Sequence, residues 1–261
     1  MMRVVLKVAR AQARDTLRSR SIIVYALFFL LLTEGLLRFA GTSSQALLNI
    51  ATATLLVVPL VTLMLTTIAV YNAREFIELL LAQPIRRSAL FAGVYLGLMT
   101  PLAASFAAGV VLPIAFHRSE QSAIALVVVA IGVALTMIFS GIGLCVALTT
   151  DDRLRGLGAA LGIWLLTAIA YDGIVLAIVA MFSDYPIERP LLGLTFANPI
   201  DLARVLILLR LDVAALMGYT GAVFQRFFGG IAGSALAAGA LVLWIATPFG
   251  LGARRFNRKD F

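Results

Sequence analysis

The chain has 261 residues, 62% of them hydrophobic and only 13% charged, with a formal net charge of +8 and a mean hydropathy of +1.02. A soluble domain carries roughly 25% charged residues, so the composition excludes an ordinary water-soluble fold and makes lipid the solvent for most of the chain. Positive charge in such a chain sets orientation and attracts anionic membrane lipids; its pattern carries no nucleic-acid signal.

The first twenty residues place Arg3, Lys7, Arg10, Arg14 and Arg18 at steps of three or four, one stripe of a helix. Val4, Leu6, Val8, Ala11 and Leu17 supply apolar surface. The pattern predicts an interfacial amphipathic helix over residues 1–20 that leads into the first span. A removable targeting peptide would need a small-residue cleavage site, and none is obvious.

Apolar runs long enough to cross a bilayer follow at Ser21–Leu37, Ile50–Tyr71, Leu90–Ile114, Ser122–Leu148, Leu157–Met181 and Phe228–Gly250. They do not alternate apolar with polar residues, as barrel strands would. The predicted fold is an all-α polytopic membrane protein with six transmembrane helices, forming a single domain over 1–261.

Two acids lie within these runs. A charge in hydrocarbon is costly, so Glu34 and Asp172 are candidate functional residues. Glu34 precedes Arg38 by four positions, which predicts a helix-surface ion pair. Asp172 lies deeper and suits either an interhelical hydrogen bond or a moving pathway.

Between the second and third runs stands "REFIELLLAQPIRRSAL" (74–90), which overlaps the polar segment 72–89 and ends at Leu90. Tyr71, Arg74, Glu75, Glu78 and Ala82 share one helix face, and Phe76, Ile77, Leu80 and Leu81 cover the remainder. Pro84 removes a backbone donor and disfavours helical geometry at Gln83, so the helix stops there. The expectation is a short rigid helix fixed between two spans, with a mixed-charge outer stripe and a greasy inner side, suited to receive a push from a partner.

The connection 182–227 is the longest. Pro186 and Pro190 break its start, and Asn198 then offers an N-cap, with Pro199 at the first helical position and Asp201 in the first turn. Asp201, Arg204, Leu208 and Asp212 fall on one face, and Leu202, Leu206, Leu209 and Val213 on another. The charges argue against a seventh span and predict amphipathic helices on the outer surface.

Lys and Arg are concentrated in residues 1–20, 72–90, 153–155 and the tail 254–259. The positive-inside rule makes that side cytoplasmic, with both termini inside. Six Arg (Arg38, Arg118, Arg189, Arg204, Arg210 and Arg226) lie on the other side.

Chemistry is sparse. The chain shows no HExxH, no nucleophile elbow with a partner His, and no Cys/His cluster. Cys145 and His117 are each the only residue of their type, so neither disulfide nor metal site is expected within the chain. "GLGAALG" (156–162) follows no strand and does not read as a dinucleotide loop. No GxxxxGK[ST] occurs, so ATP cannot be held by a P-loop of this chain. Gly93 and Gly97, Gly158 and Gly162, and Gly229 and Gly233 are each four apart, a spacing that allows close helix packing.

The stretch 74–97, the basic amphipathic start and the terminal "RRFNRKDF" (254–261) resemble the type-2 ABC transporter permeases. Residues 198–229 are similar to one branch of them, the permease subunit of the nitrous oxide reductase maturation system. The resemblance implies a non-catalytic subunit of the bacterial inner membrane, working as a homodimer. A cytoplasmic ABC ATPase would dock on each half and bind ATP and magnesium, leaving this chain with no cofactor of its own. Residues 74–83 would be the coupling helix, so Arg74, Glu75, Phe76, Glu78, Leu79, Gln83 and Pro84 are the candidate ATPase-coupling residues. Asp201, Arg204, Arg210 and Asp212 in the outer loop would meet a periplasmic copper-handling protein. Two other readings stay open: an ion-driven secondary transporter working through Asp172 and Glu34, and a non-transporting membrane scaffold or assembly factor.

Overall fold

In the computed structural model, residues 2–83, 85–117, 122–182, 188–211 and 230–258 are described, and among them the secondary structure is helical. The amphipathic start is α1 (Met2–Arg18), separated by Ser19 from α2 (Arg20–Phe39). Then come α3 (Ser43–Asn72), the short α4 (Arg74–Leu81), α5 (Arg87–His117) and α6 (Ser122–Thr149). The fifth span is composite: α7 (Arg153–Leu165), a π-helical turn (Leu166–Ala170) and α8 (Tyr171–Met181). Then α9 (Glu188–Ala197) and α10 (Pro199–Arg210) precede α11 (Ile231–Arg258). Six of these helices or composites are long and apolar enough to cross a membrane.

Hydrogen bonds fix which helix ends lie together. Arg87 donates to the carbonyl of Asn257 at 3.1 Å, and Arg255 donates to the Thr149 hydroxyl. The starts of α1 and α5 and the ends of α3, α6 and α11 thus share one end of the bundle, the basic end. The His117 ring meets Glu34 at the far end.

The main core joins α2, α3, α5 and α6 through Phe29, Ile50, Leu63, Phe106 and Phe139. Phe29 and Phe106 pack edge to face with centroids 4.9 Å apart. A second cluster at the basic end joins Val8, Ile77, Leu90, Phe91, Leu98 and Phe256. In lipid, helices gain by close packing rather than by escape from water. Buried Thr54, Thr62 and Thr67 of α3 turn their hydroxyls onto carbonyls one turn back, whereas the buried Thr66 hydroxyl has no partner among the described residues.

The glycine pairs divide. A Cβ on Gly93 would lie 2.8 Å from that of Val8, and one on Gly97 2.6 Å from that of Gln12. These two glycines seat α1 directly on α5. Gly158 and Gly162 of α7 have nothing within 4 Å; Gly229 lies outside the described residues.

The segment between the fifth and sixth spans holds two helices, as the sequence predicts, but they are not laid on a surface. They bend by 110° at Asn198. α10 buries Ile200, Leu202, Ala203, Val205 and Ile207 in the main core. Asn198 is extended (φ −125°, ψ 119°), the geometry its following proline favours, and its side-chain oxygen caps α10 by accepting from Ile200 N at 3.0 Å.

Candidate functional site

α4 begins one residue after α3 ends, and Ala73 ends the one and starts the other. It runs to Leu81, stopping two residues before Gln83, as the proline rule predicts; Pro84 lies outside the described residues. Ile77 is buried, and Leu80 and Leu81 pack against the basic-end cluster. Glu75, Phe76, Glu78, Leu79 and Gln83 are exposed, Leu79 at 70% and Phe76 at 46%. The sequence reading put Phe76 with the greasy inner side. The structure corrects this: Phe76 and Leu79 are an exposed apolar pair that faces outward beside the two acids. A cleft of about 480 Å³ opens beside Phe76, walled by Gln12, Asp15 and Thr16 of α1 and by Leu65 and Asn72 of α3.

Arg74 does not extend that exposed surface. Its Nη2 donates to Asp151 Oδ1 at 3.0 Å, its Nη1 to the Asp151 carbonyl at 3.4 Å, and its Nε lies 3.4 Å from Glu78 Oε1. Beside it, the Tyr71 hydroxyl donates to the Thr150 carbonyl at 2.8 Å. Gly156 makes room for that ring, since a Cβ there would collide with the Tyr71 hydroxyl. Asp152 then caps α7 by accepting from Leu154 N at 2.9 Å. The 150–152 turn is therefore gripped by the start of α4. The cap could have been read from "DDRL"; the pairing of Arg74 with Asp151 spans 77 positions and leaves no local trace.

At the far end, Glu34 accepts from Arg38 Nε at 2.5 Å, the predicted pair, and its other oxygen lies 3.1 Å from His117 Nε2. The histidine of α5 is the addition that sequence reasoning missed.

Asp172 is the deeper acid, and the structure gives it two neighbours. Arg204 Nη1 donates to Asp172 Oδ1 at 2.9 Å and to Asp201 Oδ1 at 3.0 Å. One guanidinium thus serves two carboxylates from two elements. Burial, aided by the Asp172 carboxylate and opposed by Arg204, pushes the Asp201 carboxyl up to about 7. Asp201 and Arg204 accordingly face inward to this network; Arg210 is exposed at the end of α10, and Asp212 lies outside the described residues. Two further bonds join the same elements. Asn198 Nδ2 donates to the Thr167 carbonyl in the π-turn at 2.7 Å, and the Tyr171 hydroxyl donates to the Leu194 carbonyl at 2.7 Å.

Cys145 turns its thiol to the Pro248 carbonyl at 3.2 Å. Among the described residues no three His, Cys, Asp or Glu side chains are grouped to hold a metal ion.

A probable ABC transporter permease protein NosY of Pseudomonas aeruginosa is 26% identical to the chain over 277 aligned positions, covering 99% of each. The family described as ABC-2 family transporter protein matches residues 6–261. A multi-pass helical bundle carrying a short, clamped helix at its basic end fits that match, and the chain belongs to the ABC-2 family of transporter proteins.

Proposed function

We propose that this chain is the membrane subunit of an ATP-driven transporter, and that α4 receives force from a separate ATPase at the cytoplasmic side. The observation that supports this most is the exposed ridge of Phe76 and Leu79 beside Glu75 and Glu78. It stands on a helix immobilised by Ile77 beneath and by Arg74 at its start. An apolar ridge in water is a cost to the isolated subunit and a gain once a partner covers it. Rigid attachment lets a push on that ridge reach two spans.

The basic end is then cytoplasmic, and α9–α10 lies towards the periplasm of a bacterial inner membrane. The resemblance of residues 198–229 to the nitrous oxide reductase maturation branch supports a role in assembling that enzyme's copper site. The subunit works there as a homodimer, its outer element meeting a copper-handling protein. The bundle passes movement to that partner and need not conduct the metal.

The test is co-purification with a P-loop ATPase, followed by ATP hydrolysis in the reconstituted complex. Glu75→Lys with Glu78→Lys should lower coupled hydrolysis at least tenfold while the bundle stays folded; unchanged coupled hydrolysis would overturn the assignment of α4.

A further inference from the structure

We infer that the fifth span is the rod that carries the stroke from α4 to α9–α10, with Asp151 as its inner catch and Asn198 and Asp172 as outer catches. This rests on the coupling reading of α4.

The span is held differently from its neighbours. α3 and α5 bury long rows of side chains, whereas α7 buries Gly156 and Ala160, the π-turn Ala168, and α8 none. Besides the partly buried Ile163, Trp164, Val175 and Val179, what fixes it is a set of directional bonds, one group at its inner end and one around the π-turn. At the inner end, Arg74 holds Asp151 and Tyr71 holds the Thr150 carbonyl. Both holding residues flank the junction of α3 and α4, so a tilt of α4 moves the 150–152 turn with it. Asp152 caps α7, so that motion enters the helix axis rather than a loose loop.

Around the π-turn, the bonds run to α9 and α10. Asn198, at the vertex of the 110° bend, holds the Thr167 carbonyl. Tyr171 holds Leu194 of α9, and Asp172 holds Arg204 of α10. All three start within or just beyond the π-turn. A π-turn breaks the regular one-turn hydrogen-bond register, and the Thr167 carbonyl is here taken by the Asn198 amide. Between the ends, the Trp164 indole donates to the Leu56 carbonyl at 3.0 Å, keeping the rod alongside α3. A span with little fully buried apolar surface, held by polar catches at its inner end and around the π-turn, can shift against the bundle without unpacking a core. A purely structural role for these bonds predicts lost stability only; a rod predicts lost communication.

The experiment uses the complete permease–ATPase complex in lipid nanodiscs, with Cys145→Ala and one reporter cysteine at a time. Leu154→Cys reports the inner end of the span and Arg210→Cys the end of α10, both exposed. Nucleotide-dependent change in labelling rate is read at each. With Asn198→Ala and Asp172→Asn combined, the inner reporter should keep its response and the outer one should lose at least four-fifths of its own. Tyr171→Phe, which removes one hydroxyl and keeps the ring, should give a partial loss, and restoring Asn198 to the double variant should recover part of the response. An outer response of full size in the double variant would overturn the rod while leaving the ATPase reading intact. Absence of a nucleotide response at both reporters in the otherwise unaltered complex would overturn the coupling reading itself.

Discussion

The indole N–H of Trp244 in α11 donates to the carbonyl of Phe196 at 3.0 Å, fastening the end of α9 to the sixth span. α9 stops there because Asn198 turns extended, so its last carbonyls need donors from elsewhere. Trp244→Phe keeps an aromatic side chain, though a smaller one, and removes the donor. It should cost about 0.5–1.5 kcal/mol and speed labelling of an Arg210→Cys reporter. Unchanged labelling would show that α9 is fixed without this bond.

The Asp201 carboxyl gives a pH dependence with a definite sign. Its folded pKa, about 7, lies above the ordinary 3.8. The folded chain therefore binds that proton more readily than the unfolded chain does, and this contribution to stability is lost as pH rises from about 4 through about 7. The thermal midpoint of purified protein should fall from about pH 5 to about pH 8. Asp201→Asn should flatten that slope; an identical slope in the variant would assign it to other groups.

Glycine substitutions should separate a seat from an open surface. Gly97→Leu drives a side chain into Gln12 and the Ala9 carbonyl and should cost about 1–3 kcal/mol by overpacking. Trypsin should then cut faster within α1. Gly158→Ala meets open space and should change stability by less than about 1 kcal/mol, on the stabilising side. Equal effects at the two positions would refute the seating of α1 on α5.

On α4, docking and folding should come apart at residues two positions apart. Leu79→Asp alters an exposed position and should shift stability by less than about 0.5 kcal/mol while abolishing ATPase capture. Ile77→Asp buries a carboxylate in the basic-end cluster and should prevent folding outright. Retained capture by folded Leu79→Asp protein would move the docking surface elsewhere.

What could be read in the sequence follows the range of the interaction. The six spans, the amphipathic α1, the stop of α4 before Gln83 and the Asn198–Pro199 cap all depend on residues within a turn or two. The first span runs Arg20–Phe39, slightly beyond Ser21–Leu37 at both ends. The site was less legible. Arg74 was grouped with the partner-facing residues because periodicity cannot see Asp151 across the bundle. Asp201 and Arg204 looked like surface charges because a charged residue counts as polar until its partner is known. Here Arg204 satisfies two acids at once, which lets α10 enter the core. The π-turn had no compositional signature, since "LTAIA" is as good an α-helix as its neighbours.

The seat of α1 on Gly93 and Gly97 has a consequence for synthesis. α1 leaves the ribosome before α5, and the helix that receives it is made only after three intervening helices are complete. Until then its arginines must rest among phospholipid headgroups and its valines among acyl chains. The newborn chain thus parks its first helix on the bilayer, and only the arrival of two side-chain-free positions converts that lodger into part of the protein.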